Sequence, residues 1–191
     1  MHQWGHPDAG LLLLYKKNEM VLHQSIAIIG ATGKMGSALT KAIAGTANDL
    51  LVMGRDSHKL KKLSKSVVAR AELIPIHCAK DACWEADIVI LAVPANVETE
   101  VARKIKDVVT QKIVISISPD MGISLLQEEL PNSKIIKAFF NNTPAELESA
   151  QINNQTKCNV KGDDKEAVQT VSQLIVSMGL NPVVESIQAA A

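Results

Sequence analysis

The sequence predicts an α/β fold in which a doubly wound, mainly parallel sheet carries helices on both faces. Three observations lead there. From Ser25 onward, short β-branched runs alternate with helical stretches. Two of those runs, "DIVILAV" at 87–93 and "KIVISIS" at 112–118, are apolar on both faces, as a central strand covered by helices on each side must be. In "SIAIIGATGKMGSALTKAIAG", residues 25–45, three glycines spaced three apart fall where an apolar strand gives way to a helix.

Taken in order, a strand at 25–30 leads to a helix over 34–45, and a strand at 50–54 to a helix over 57–66. A strand at 72–76 precedes a shorter helix over 79–85. Strand 87–93 leads to helix 96–109, and strand 112–117 to helix 122–130. Strands at 134–139 and 157–161 come next, then a helix over 163–178 and a last strand at 182–185. No internal repeat or low-complexity linker interrupts the alternation. A chain of 191 residues builds one compact domain with a real core and leaves little room for a second large one. The expected domain is 25–188.

Residues 1–24, "MHQWGHPDAGLLLLYKKNEMVLHQ", do not share the pattern of the rest of the chain. The apolar run Leu11 to Tyr15 lacks a basic stretch before it and is shorter than the roughly 7–15 residues of a secretory core, so no export signal is expected. With Met20 just ahead of the first strand, the segment reads as an N-terminal extension, poorly ordered and not needed by the fold. His2 and His6 lie near a free terminus without a third ligand, so no metal site is expected. No stretch approaches the roughly 20 apolar residues of a membrane span, and the expected location is cytoplasmic.

Charge excludes further partners. Lys plus Arg equals Asp plus Glu at 20 each, so the global field favours neither nucleic acid nor an anionic membrane, and any anion must be held by local geometry. Cys78, Cys83 and Cys158 form no CxxC pair, and their odd number argues against a disulfide framework; they read as reduced thiols.

Gly30, Gly33 and Gly36 form a GxxGxxG variant with the strand "IAII" before it and the helix "MGSALTKAIA" after it. In such a unit the first glycine permits the tight turn and the second lets backbone approach a pyrophosphate. The third lets helix pack close to strand, with the diphosphate on the helix N-terminus. Ala31, Thr32, Lys34 and Met35 complete the expected phosphate loop of a dinucleotide site. A glycine-rich turn that merely packs is the structural alternative, and it leaves the density of three unexplained. A P-loop is excluded because Gly33 and Lys34 are followed by Met35 rather than Ser or Thr. The Tyr-xxx-Lys chemistry of short-chain dehydrogenases is excluded because Tyr15, the one tyrosine, precedes the first strand.

The choice of dinucleotide depends on the residues after the second strand, where an acid takes the ribose hydroxyls of NAD and basic groups meet the 2′-phosphate of NADP. In "LLVMGRDSHKLKKL", Arg55 follows the strand directly, and Ser57, His58 and Lys59 open the next helix. NADP is therefore favoured over NAD. Asp56 is the awkward residue: it accepts from an NAD ribose, or it caps the helix starting near Ser57.

"GATGKMG", "MGRDSHKL", "ADIVILAVP", "KIVISIS", "KIIKAFFNNTPAEL" and "VKGDDKEAVQTVSQLIVSMGLNPVVE" together resemble the N-terminal cofactor domain shared by coenzyme F420-dependent NADP oxidoreductases and pyrroline-5-carboxylate reductases. The resemblance covers residues 25–186. It implies a Rossmann-like fold and NADP binding. It places Val93 and Pro94 under the nicotinamide ribose, with Ala92 beside them among the cofactor-binding residues, and Asn141, Asn142, Thr143 and Pro144 near the nicotinamide or the substrate. Without it, "NNTPA" reads as a turn.

The chain also departs from that pattern. It stops at "SIQAAA", so no C-terminal helical substrate domain is expected, and neither are the imino acid pocket and the dimerisation helices that such a domain brings to pyrroline-5-carboxylate reductases. An acceptor cleft without that wall is expected to be completed by a second copy, a homodimer using the apolar residues of "AVQTVSQLIVSM" (167–178) and Leu11 to Leu14. Hydride transfer to a flavin or deazaflavin leans on the cofactors themselves, whereas reduction of an imine or carbonyl needs a placed proton donor. His58 and His77 lie on the wrong side for that role. Ser116, Ser118 and Asp120, after the fifth strand on the ligand-binding sheet edge, are the best polar candidates, although Ser118-Pro119-Asp120 is also an ordinary turn. The expected function is NADPH-dependent hydride transfer to an acceptor of flavin, deazaflavin, imine or carbonyl type. The alternative is a catalytically silent dinucleotide-binding or sensor module acting with a partner chain.

Overall fold

The computed structural model describes residues 23–46, 48–67, 70, 72–149 and 156–185. The 1–22 part of the expected extension, with His2, His6 and Leu11 to Leu14, lies outside the described residues.

All eight expected strands form, in one sheet. They are β1 (Ser25–Ile29), β2 (Asp49–Met53), β3 (Leu73–Ile76), β4 (Ile88–Leu91), β5 (Ile113–Ser116), β6 (Lys134–Ala138), β7 (Lys157–Gly162) and β8 (Asn181–Val184). Their spatial order is β3-β2-β1-β4-β5-β6-β7-β8. Six strands run parallel from β3 to β6, and β7 joins β6 antiparallel, with Lys137 opposite Lys161. The chain moves outward from β1 to β3, returns to β4 beside β1, and then moves outward the other way. This reversal between β1 and β4 is the switch point at which open α/β sheets leave a crevice outside the carboxyl ends of their strands.

The helices are α1 (Lys34–Ala44), α2 (Ser57–Ser66), α3 (Ala79–Glu85), α4 (Ala95–Ile105), α5 (Ile123–Glu129), α6 (Pro144–Ser149) and α7 (Lys165–Ser177). They divide between the two faces by the pleat. On β1 and β4, Ile26, Ile28, Ile88 and Ile90 join a core with Leu39 and Ile43 of α1, Leu60 and Leu63 of α2, and Val171 and Ile175 of α7. Ala27, Ile29, Val89 and Leu91 point the other way, onto Ala82 and Cys83 of α3, Ala102 and Ile105 of α4 and Leu126 of α5. Both faces of these strands are therefore dry, which explains their unbroken apolar runs.

Two sequence expectations need correction. "NNTPA" at 141–145 is not a plain turn, because its last two residues open α6 (Pro144–Ser149). The Thr143 backbone N–H and hydroxyl donate to Glu146 Oε2 at 2.6 and 3.0 Å, and the Glu146 N–H returns to Thr143 Oγ1 at 3.3 Å. This reciprocal cap, with proline at the first helical position, was legible in "TPAE". Second, α7 (Lys165–Ser177), which carries most of the 167–178 stretch, does not hold its apolar side open. Ala167, Val171, Leu174, Ile175 and Met178 are buried against the chain's own sheet, leaving Val176 as the exposed large apolar residue of that stretch.

Candidate functional site

The loop after β1 is shaped by contacts that only glycine tolerates. Gly30 adopts φ +93°, and a β-carbon there would lie 2.3 Å from the Ala92 carbonyl oxygen. A β-carbon on Gly36 would lie 2.2 Å from Gly30 O. Thus Gly30 lets the loop meet the end of β4, and Gly36 lets α1 pack onto the loop. Gly33 N–H donates to Gly30 O at 3.0 Å, and Gly30 and Ala31 N–H both donate to Met53 O at 2.9 Å, tying the turn to the end of β2. Helix α1 opens at Gly33 with no side-chain cap and no acid in its first turn, which leaves its positive end available to an anion. Lys34 is exposed there, Met35 is half-buried against the core, and Ala31 is buried.

A fourth glycine, not singled out in the sequence, belongs to the same loop system. Gly54 lies so close under Thr32 that a β-carbon would meet Thr32 Cγ2 at 2.5 Å, so the glycine loop and the β2–α2 loop pack directly on each other. Arg55 follows Gly54 and is exposed; it makes no ion pair with a described residue. Asp56 is a helix cap: its Oδ1 accepts from the His58 and Lys59 N–H groups at 3.0 Å each, and these bonds hold the carboxyl below the usual carboxylate range. Lys59 Nζ stands 3.8 Å from Asp56 Oδ2, so its charge is shared with that cap, while Ser57 and His58 are exposed.

On the other side of the switch point, Ile29 pairs with Leu91 and Leu91 with Ser116. The carboxyl ends of β1, β4 and β5 are therefore level, and Ala92, Val93 and Pro94 run directly from β4 into α4. Ser116 and Ser118 are buried rather than presented on the sheet edge, with 1% and 6% exposure. The Ser116 hydroxyl is enclosed, so Ser116 is not an open polar group of the sheet edge. Asp120 is exposed. Thr143 is occupied by its helix cap. The Asn141 side chain meets Asn159 Oδ1 at 3.3 Å, and Asn142 Nδ2 donates to Lys157 O at 2.9 Å. Both asparagines thus fasten the turn after β6 to β7. That turn contains Phe139, fully buried at φ +61°, a conformation a bulky residue holds only when its surroundings demand it.

Beneath this edge lies a group that sequence reasoning missed. Glu98, in the first turn of α4, is fully buried. Both its carboxyl oxygens are enclosed without a hydrogen-bond partner, as is the hydroxyl of Ser116. Burial pushes the carboxyl up to about 7, against smaller opposing pulls from the Ser116 hydroxyl and the Lys137 charge. A signal existed, since Glu98 precedes Ala102 and Ile105 by four and seven residues, the spacing of the inward face. Lys137, half-buried on β6, donates to Met121 O at 2.7 Å and Pro119 O at 3.1 Å and lies over the Phe140 ring.

No cluster of three or more metal-ligating residues occurs among the described residues, and none of their helices is long and apolar enough to cross a membrane.

A glycine loop at the switch point of a doubly wound sheet, opening onto an uncapped helix end, defines the Rossmann-like, dinucleotide-binding class of α/β protein. The chain belongs to the NADP oxidoreductase, coenzyme F420-dependent family, whose profile matches residues 25–120. It is 29% identical over 177 residues to an F420-dependent NADP reductase of Methanocaldococcus jannaschii, covering 78% of this chain and 77% of that protein. A glycerol-3-phosphate dehydrogenase [NAD(P)+] of Streptococcus mutans is 23% identical over 172 residues, and the match spans 81% of this chain but 50% of that one. Among solved structures, the hypothetical protein SMa0349 from Sinorhizobium meliloti superposes with a TM-score of 0.71 at 24% identity, covering 92% of this chain and 88% of that one. The Plasmodium falciparum pyrroline carboxylate reductase with NADP bound gives 0.65 at 20% identity, covering 86% and 58%. At these identities the solved structures show the shared fold.

Proposed function

We propose that the 25–188 domain binds NADPH and passes its hydride to a small-molecule acceptor of flavin, deazaflavin, imine or carbonyl type. The observation that carries this reading is the Gly30–Gly36 unit, held against Ala92 with the α1 N-terminus open beside it. Backbone N–H groups of that helix end meet the diphosphate, with Lys34 adding charge. Arg55 meets the 2′-phosphate, and the capping role of Asp56 removes the acid that would have argued for NAD. Val93 and Pro94 carry the nicotinamide ribose. The bound cofactor supplies the hydride; the protein supplies position and a fixed electrostatic surround. The M. jannaschii relative is an F420-dependent NADP reductase, which favours a deazaflavin as the first acceptor to try.

A silent binding or sensor module is the second reading, favoured by one observation: Asn141, Asn142 and Thr143 spend their side chains on Asn159, Lys157 and Glu146. One experiment separates the two. Purified protein is titrated with NADPH and NADH, and the NADPH complex is then mixed with flavins, a deazaflavin and small cyclic imines. Oxidation of bound NADPH by any of them supports the enzyme; tight binding with no oxidation supports the module; failure to bind either nucleotide overturns both.

A further inference from the structure

We propose that Glu98 is a buried proton store for the hydride step, with the Ser116 hydroxyl as its relay toward the cleft. The proposal rests on the NADPH-binding reading and adds a positioning residue to it. Three enclosed polar atoms, Glu98 Oε1, Glu98 Oε2 and Ser116 Oγ, lack a well-formed hydrogen bond; the Ser116 hydroxyl acts on the Glu98 carboxyl from the carboxyl end of β5. Natural interiors rarely leave such groups unmatched without a use for them. The segment that places them is also the one proposed to carry the nicotinamide ribose: Glu98 N–H donates to Pro94 O at 3.1 Å, and Ser116 ends β5 level with Leu91.

The electrostatic surroundings suit a group that gains and loses a proton. Lys137 of β6 is the charge that acts on the carboxyl, and Lys137 is itself depressed by burial and by Lys161. On the helices beside α4, Lys80 pairs with Asp107 and Glu129 with Arg103, while Asp81, Glu85 and Glu128 are exposed. With its carboxyl pushed up to about 7, Glu98 is poised between its two forms at neutral pH.

The step balances. NADPH, the acceptor and the Glu98 carboxylic acid give NADP⁺, the acceptor carrying one hydride and one proton, and the Glu98 carboxylate. Two electrons and two hydrogen nuclei reach the acceptor, and the new cation faces a new anion, so no net charge appears in the site. A solvent proton, taken up as NADP⁺ leaves, then restores the Glu98 carboxylic acid. The carboxylate form should accordingly be favoured by the oxidised cofactor and not by the reduced one.

Proton release is measured with an indicator dye at pH 7 in weakly buffered solution, as the protein is saturated with NADP⁺ or with NADPH. Titration of the 2′-phosphate contributes to both and cancels in the difference. The wild type should release about half a proton more per chain with NADP⁺, because a group near its midpoint is about half protonated at the start. E98Q should show no difference, and S116A should keep the difference but reach it more slowly. Infrared spectroscopy of the wild type needs no variant: a protonated-carboxyl band should be present at pH 6, titrate near pH 7 and disappear on NADP⁺ but not NADPH addition. Equal proton release with the two nucleotides, or an absent carboxyl band, overturns the proton store while leaving cofactor binding intact. If neither nucleotide binds, the proposed function falls and this inference falls with it.

Discussion

Gly30 and Ala92 are in backbone contact across the switch point, so close that a single added methyl group on Gly30 would lie 2.3 Å from the Ala92 carbonyl oxygen. This contact joins the end of β1 to the end of β4, and the proposed diphosphate and nicotinamide halves of the site meet there. Gly30→Ala would meet both the collision and the φ of +93°, at a cost of at least about 2 kcal/mol. The variant should melt several degrees lower and lose NADPH binding. Gly54→Ala meets only the movable Thr32 side chain and should lose less of both. Thermal melts and fluorescence titrations of the two variants check the order.

Arg55→Ala should weaken NADPH binding about tenfold or more and leave NADH nearly unchanged, since a charge-assisted contact to a phosphate contributes about 1.5–3 kcal/mol. Equal losses for the two nucleotides would make Arg55 a structural residue of the β2–α2 loop.

Stability should fall with rising pH through the Glu98 carboxyl. Its pKa is raised in the fold, from 4.5 to about 7, so the folded chain holds the extra proton between those values. The contribution is fully present below about pH 4.5 and is lost as pH rises through about 7. The loss amounts to about 3 kcal/mol, or roughly 6–12 °C for a chain of this size. Glu98→Gln removes the titrating group, so the difference between wild-type and variant melting temperatures should change by that much between pH 5 and pH 8. A constant difference would place the ionised carboxyl in contact with water.

Thiol reactivity should be uneven. Cys78 is exposed, whereas Cys83 and Cys158 are buried with their thiols pushed up to about 12 by desolvation. A chromogenic disulfide reagent should therefore titrate one thiol promptly in the native protein and all three after denaturation. Prompt reaction of two or more would show that a cysteine-bearing face opens readily.

Association is the remaining expectation. Helix α7 spends its apolar face on its own sheet, so among the described residues the motive for a homodimer reduces to the exposed Val176 and Val184 and the edge position of β8. Light scattering at micromolar concentration, with and without NADPH, should give twice the chain mass. A monomeric mass in both conditions excludes the dimer and favours the silent module.

The amino-acid sequence by itself determined the order and kind of nearly every element. Runs such as "IVIL" have no polar face and can be satisfied only between two helical layers, and Gly30 and Gly36 mark contacts that any side chain would block. The cap of α6 is equally local, written in Thr143, Pro144 and Glu146, although asparagine and proline also make turns. What only the tertiary structure decided is how polar groups far apart in sequence are placed relative to water. Ser116 sits at the end of β5, where the spacing alone allows either exposure or burial, and the packing of α4 closed its hydroxyl in. Glu98 lies 18 residues before Ser116 and 39 before Lys137. Its elevated carboxyl arises from the apolar layer assembled around all three, because desolvation depends on the surrounding volume and not on neighbours along the chain.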